Sequence, residues 1–211
     1  MLARFGRPYA VAWGYLALFT AVDITLALLS PADASAVRDW ASTNVTNLRH
    51  DPLGSLIASA FVPGEQAIAW PFLIAMALFG ANRVLGNRRT AIVCVAGQVL
   101  GTLVSEGIAA YRIEQGQLPE SAAHLIDVGP SYVVVAAITV AVLYGSWLVR
   151  VVAAVDLLLL IFGGGIFDGL TTLQVAAVGH TTSIVVAGGL GSALVWRSRA
   201  TRAASPDVPI G

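Results

Sequence analysis

Apolar residues come along this chain in long, nearly unbroken runs, and the short stretches between them hold most of the charge. The first run is Tyr9–Leu29, interrupted only by Asp23. A shorter one, Leu53–Val62, precedes Ala67–Leu85, and then come Thr90–Ala110, Tyr132–Leu148, Val151–Phe167 and Val175–Trp196. Each of the six longer runs approaches the roughly 20 residues that a helix needs to cross a bilayer. The pattern predicts an all-α, polytopic membrane protein. Its six transmembrane helices, 9–29, 67–85, 90–110, 132–148, 151–167 and 175–196, make one membrane domain over 1–197. Residues 198–211 are polar, contain two prolines and are expected to form a short mobile tail. The first run has a rival reading as a cleaved leader, since Arg4 and Arg7 precede it and Ala34-Ser35-Ala36 resembles a processing site. A leader's apolar region is normally about 7–15 residues and lacks an aspartate, so a retained helix is expected.

Composition points the same way. Of 211 residues, 57% are hydrophobic and only 11% charged, whereas a soluble domain carries about a quarter. The formal net charge is zero, which suggests no nucleic-acid partner; lipid is the expected surrounding. All the basic residues are arginines, and their placement orients the bundle. Arg4, Arg7, Arg83, Arg88, Arg89, Arg150, Arg197, Arg199 and Arg202 fall on one face of a six-helix arrangement. The positive-inside rule makes that face, with both termini, cytoplasmic. The single cysteine, Cys94, lies in an apolar run and reads as a small buried side chain. With no Cys/His cluster, phosphate-binding loop or dinucleotide fingerprint, no metal and no cofactor is expected.

Few side chains in such a sequence can do chemistry. His180 stands at the outer end of the sixth run, and Gly179, Ser183, Ala187 and Gly191 recur there every fourth residue. Such a ladder of small residues lets another helix approach closely. The fourth run has its own ladder, Ala137, Ala141 and Gly145, so these two helices are expected to be neighbours with His180 facing the fourth. Ser131 opens the fourth helix and shares the depth of His180, and a serine nucleophile needs a base within hydrogen-bond reach. The plainer alternatives are a helix N-cap serine and a hydrogen-bonded core histidine. Asp23 and Glu106 fall near the outer interface and Asp156 near the inner one, where each is expected to reach water or a partner. Gly97-x-x-x-Gly101 reads as a packing motif.

Gly129-Pro130-Ser131-Tyr132, His180 with Ser183 and Ala187, and Phe167-Asp168 together resemble the rhomboid intramembrane serine proteases. The likeness is greatest to compact actinobacterial rhomboid-like proteins, with Asn47-Leu48-Arg49-His50-Asp51-Pro52-Leu53 and Asp127 to Tyr132 as further similar stretches. The resemblance implies a six-helix rhomboid-like bundle in a bacterial plasma membrane, with Ser131 as nucleophile and His180 as general base. It implies a transmembrane protein as substrate, cut near the outer face. Three positions depart from the family pattern. Tyr132 replaces a glycine, Pro130 lacks an N–H, and Gly64 to Pro71 lacks the His-x-x-x-Asn pair that helps hold the oxyanion. Gly129, Gln66, Trp70 and Tyr132 are the candidates for that supporting role. Asp127 and Asp168, expected at the hydrated outer boundary, are not expected to complete a triad. The alternative function is a catalytically silent rhomboid-like scaffold or subunit that binds transmembrane partners. A solute transporter would need inverted repeats that are not visible.

Overall fold

The computed structural model describes residues 7–64 and 68–203. All regular structure among the described residues is helical. Six longer helices are α1 (Ala10–Leu28), α5 (Trp70–Leu85), α6 (Asn87–Glu114), α7 (Ser131–Tyr144), α8 (Trp147–Phe162) and α9 (Val175–Ala203). Of these, α1, α6 and the Val175–Arg197 part of α9 are long and apolar enough to cross a bilayer, and α5 and α7 are shorter apolar helices. The chain is an all-helical integral membrane protein.

Between α1 and α5 lie three short helices: α2 (Pro31–Ala41) and α3 (Val45–His50), which hydropathy does not reveal, and α4 (Pro52–Ser59), which falls in the shorter apolar run Leu53–Val62. Each begins at a residue that caps it. Ser30, Asn44 and Asp51 accept hydrogen bonds from the N–H groups of Asp33, Asn47 and Gly54, and proline opens α2 and α4. The N-terminus of α1 is anchored by the α5–α6 corner. Asn82 donates to the Pro8 carbonyl at 2.7 Å and accepts from Ala12 N–H, while Asn87 accepts from Val11 N–H.

The core centres on α7, which is buried on nearly every side and touches α5, α6, α8 and α9. Its 14 residues span about 21 Å at 1.5 Å per residue, against about 30 Å of hydrocarbon. By itself α7 is therefore shorter than the hydrocarbon layer is thick. Small residues make the close approaches. A Cβ on Gly97 would sit 2.6 Å from Ala136 Cβ, and one on Gly101 2.6 Å from Ser183 Oγ.

Helices α7 and α9 are neighbours, as expected, but their small-residue ladders do not meet face to face. Gly179, Ser183, Ala187 and Gly191 are buried, but Ser183 and Gly179 lie on the glycines of α6, and Gly179 and Gly191 receive Tyr132 and Tyr144 of α7. Ala141 of α7 turns instead to Gly80 of α5. Large aromatic side chains of α7, not its alanines, fill the small face of α9. Helix α9 also runs beyond Trp196 to Ala203, because hydropathy falls there while nothing breaks the helix before Pro206. Residues 198–203 are thus helical, and 204–211 lie outside the described residues.

Among the described residues, two acidic residues lie inside the bundle, and of these Asp156 departs from expectation. Glu106 is buried, and Asp156 is wholly buried with neither carboxylate oxygen bonded to a partner. Asp156 does not reach the inner interface, because its position shares the inward face of α8 with Ala153 and Leu160.

Candidate active site

The segment leading into α7 is fixed by α4 and by the outer turns. Gly129 has φ +138°, a region that favours glycine, and its N–H donates to the Ser59 carbonyl at 2.9 Å. Pro130 is the N-cap and offers no side-chain cap, so Ser131 is the first helical residue and caps nothing. The Ser131 hydroxyl lines a small polar cleft with Thr43, Ser59, Gln98, Asp127 and Tyr132. The cleft holds about 10 Å³ of free space, near the least that admits one water.

His180 lies one turn and a half into α9 and is 4% exposed. Its Nδ1 is 2.8 Å from the carbonyl oxygen of Ile166. A carbonyl has no proton to give, so Nδ1 carries the hydrogen and Nε2 keeps its lone pair. Nε2 is buried and has no hydrogen-bond partner. Ile166 belongs to the α8–α9 turn, whose far end is clamped by Arg112: Nη1 donates to the carbonyls of Thr172 and Leu173 at 2.9 and 3.3 Å.

Tyr132 stands between the two halves. Its ring meets the imidazole edge-on, with centroids 5.0 Å apart at 77°, and fills the space left by the absent side chain of Gly179. Its hydroxyl donates to Asp127 Oδ2 at 3.3 Å. His180 thus faces α7, but its neighbour there is Tyr132, and Ser131 does not hydrogen-bond Nε2 in this conformation. Consecutive helical residues point about 100° apart, so the residue after Ser131 occupies the face toward α9.

Asp127 is not the hydrated carboxylate that its loop position suggested. It is half-buried, its N–H donates to Ser42 Oγ at 2.9 Å, and Thr43 N–H donates to its carbonyl at 3.0 Å. Burial pushes its carboxyl above the ordinary aspartate range, partly offset by hydrogen bonds from Thr43 and Tyr132. Ser42, Thr43, Thr46 and Ser59, between and on the short helices, tie this loop down through its backbone. Asp168 is exposed, as expected of an outer-boundary residue, and no carboxylate hydrogen-bonds the His180 ring.

The proposed supporting residues separate. Gly129 has its N–H engaged by Ser59. Trp70 opens α5, packs half-buried against the core and does not line the cleft. Gln66 lies outside the described residues. Sequence reasoning missed Gln98, Ser59 and Thr43. Gln98 was findable, as an uncharged polar residue in the middle of the third apolar run. The chain matches the model of a family described as "Rhomboid-like protein" over residues 7–202. No curated protein and no solved structure matches the chain.

Proposed function

From its membership of the rhomboid-like protein family, we propose that the chain is an intramembrane serine protease in which Ser131 attacks and His180 Nε2 takes its proton. The observation that carries this reading is the state of His180. The Ile166 carbonyl holds Nδ1 as the donor, so the free lone pair at Nε2 is the one a general base needs. In a triad a carboxylate performs that orienting role; here a backbone carbonyl stands in its place.

The chemistry runs as acyl transfer. Ser131 Oγ bonds to the scissile carbonyl carbon while its proton passes to Nε2, and the imidazolium then protonates the leaving amine. Water hydrolyses the resulting ester with His180 again as base. The oxyanion falls to the N–H groups of the first turn of α7, which have no acceptor within the helix. Ser131 and Tyr132 supply them, since Pro130 has no N–H and that of Gly129 is engaged. Reaction requires Oγ to come within about 3 Å of Nε2, and such contacts commonly tighten only with substrate bound. The arginine distribution supports a cytoplasmic placement of both termini in a bacterial plasma membrane, with cleavage near the opposite face.

The second reading is a silent scaffold that binds transmembrane partners. It is favoured by the Tyr132 ring on the imidazole and by the absence of a Ser131–His180 hydrogen bond. A fluorophosphonate probe applied to the protein in lipid separates the two. The protease reading expects labelling of wild type and none of Ser131→Ala or His180→Ala. Wild type that never labels, with the fold intact, would favour the scaffold.

A further inference from the structure

A furrow with about 280 Å³ of free space runs between α5 and α8, at the end of the bundle where α5 stops and α8 begins. Ala75, Phe79, Leu148 and Val152 give it an almost wholly apolar lining. Beside it lies a second pocket of about 330 Å³, more polar, at the corner of α1, α5 and α6, with Asn82 and Asn87 in its wall. Tyr9 and Arg83 line both, so the apolar furrow leads past an arginine into the polar pocket. Arg83 is exposed, and among the described residues it has neither an ion pair nor a hydrogen-bond partner. Its long side chain lets the guanidinium reach the mouth of the pocket while the stem stays on the apolar wall. No aspartate or glutamate lines either space. The start of α6 adjoins the pocket at Gly86, which offers no side chain to cap the first turn, and its field adds to that of the arginine. Tyr9 and the exposed Trp147, next to Leu148, put this end at the level of lipid headgroups.

We infer that the two spaces together bind one anionic phospholipid, with an acyl chain along the furrow and the headgroup phosphate on Arg83. A free phosphate would meet the arginine and leave the furrow empty. A neutral tail would fill the furrow and leave the charge without a partner. A transmembrane helix suits neither part, because one turn is about 10 Å across and 5.4 Å long, too broad for the furrow. A zwitterionic headgroup carries its own cation, which the field of Arg83 repels, so the site selects net negative charge. Basic side chains between membrane helices hold such headgroups by this same attraction. The site lies at the opposite end of α7 from Ser131 and depends on neither the protease nor the scaffold reading.

The test is native mass spectrometry of the full chain in detergent, titrated with phosphatidylglycerol or with phosphatidylcholine of the same acyl chains. Wild type should bind phosphatidylglycerol about fivefold more tightly, the worth of one arginine near a membrane surface. Inorganic phosphate and glycerol phosphate should not displace it. Arg83→Gln should remove the preference and leave phosphatidylcholine binding nearly unchanged. Arg88→Gln is the charge-matched control, since Arg88 is exposed and lines neither space, and it should bind as wild type does. Ala75→Phe, which fills the half-buried wall of the furrow, should weaken both lipids. Phosphatidylglycerol with a diazirine in its acyl chain should cross-link to α5 or α8. Equal affinity for the two lipids, equal losses in Arg83→Gln and Arg88→Gln, displacement by inorganic phosphate, or cross-links confined to other helices would each overturn the inference. Should Ala75→Phe fail to fold, as thermal melting would reveal, the surface change Arg83→Gln and the cross-link still decide the matter.

Discussion

The His180 ring is held at Nδ1 alone, and its neighbours decide what Nε2 can do. Because the Ile166 carbonyl already orients the ring, neither nearby aspartate is needed for the tautomer. Asp127→Asn and Asp168→Asn should each retain measurable peptidase activity, assayed against a transmembrane reporter, while His180→Ala should lose it. Asp127 also sets a pH dependence. Its folded-state pKa lies above the ordinary value, and desolvation is the main cause. The folded form therefore favours the protonated acid, and stability falls as pH rises from the usual aspartate value of about 3.9 through the raised one. Asp127→Asn keeps acceptors for Thr43 and Tyr132, so thermal unfolding in detergent should show it more stable than wild type at neutral pH, with the gain vanishing in acid. Equal melting at every pH would contradict this. Asp156, unpaired and buried, predicts that Asp156→Val raises stability by about 1–3 kcal/mol.

At the scale of elements, the long apolar helices follow the apolar runs, though α7 and α8 end at Tyr144 and Phe162 and not at 148 and 167, and the short helices beside the site were harder to read. A continuous apolar run carries its own signal, so Ala10–Leu28 differs by one residue at each end from the run Tyr9–Leu29. Helices α2, α3 and α4 are 11, 6 and 8 residues long. Each is marked by a cap, such as Asn44 or Asp51-Pro52, and only α4 by an apolar run as well, Leu53–Val62. Missing them left Asp127 looking hydrated. The sequence singled out Ser131 and Tyr132 at the start of α7, but the rotation that turns Tyr132 toward α9 was not readable, since it depends on which neighbour lies on each face. That packing gives a sharp prediction. A Cβ on Gly179 would overlap the Tyr132 ring, so Gly179→Ala should cost about 1–3 kcal/mol of stability. Adding Tyr132→Ala, which empties the same space, should restore part of it, a coupling that a double-mutant cycle reads directly.

For the whole molecule, two independent signals of the sequence, apolar runs and arginine asymmetry, support the proposed orientation with both termini cytoplasmic. Reporter fusions after Arg89 and Arg202 should read cytoplasmic and one after Glu120 should read outside; a C-terminus outside would remove the six-crossing arrangement. Under the proposed orientation the short central helix would hold Ser131 beneath the outer surface, where a membrane-spanning substrate would meet it. The most direct test is cleavage of a single-span reporter by the purified protein in lipid, with the cut mapped by mass spectrometry. The proposed chemistry predicts one cut in the outer half of the span, lost in both Ser131→Ala and His180→Ala. Cleavage by Ser131→Ala at the wild-type rate and position would contradict it.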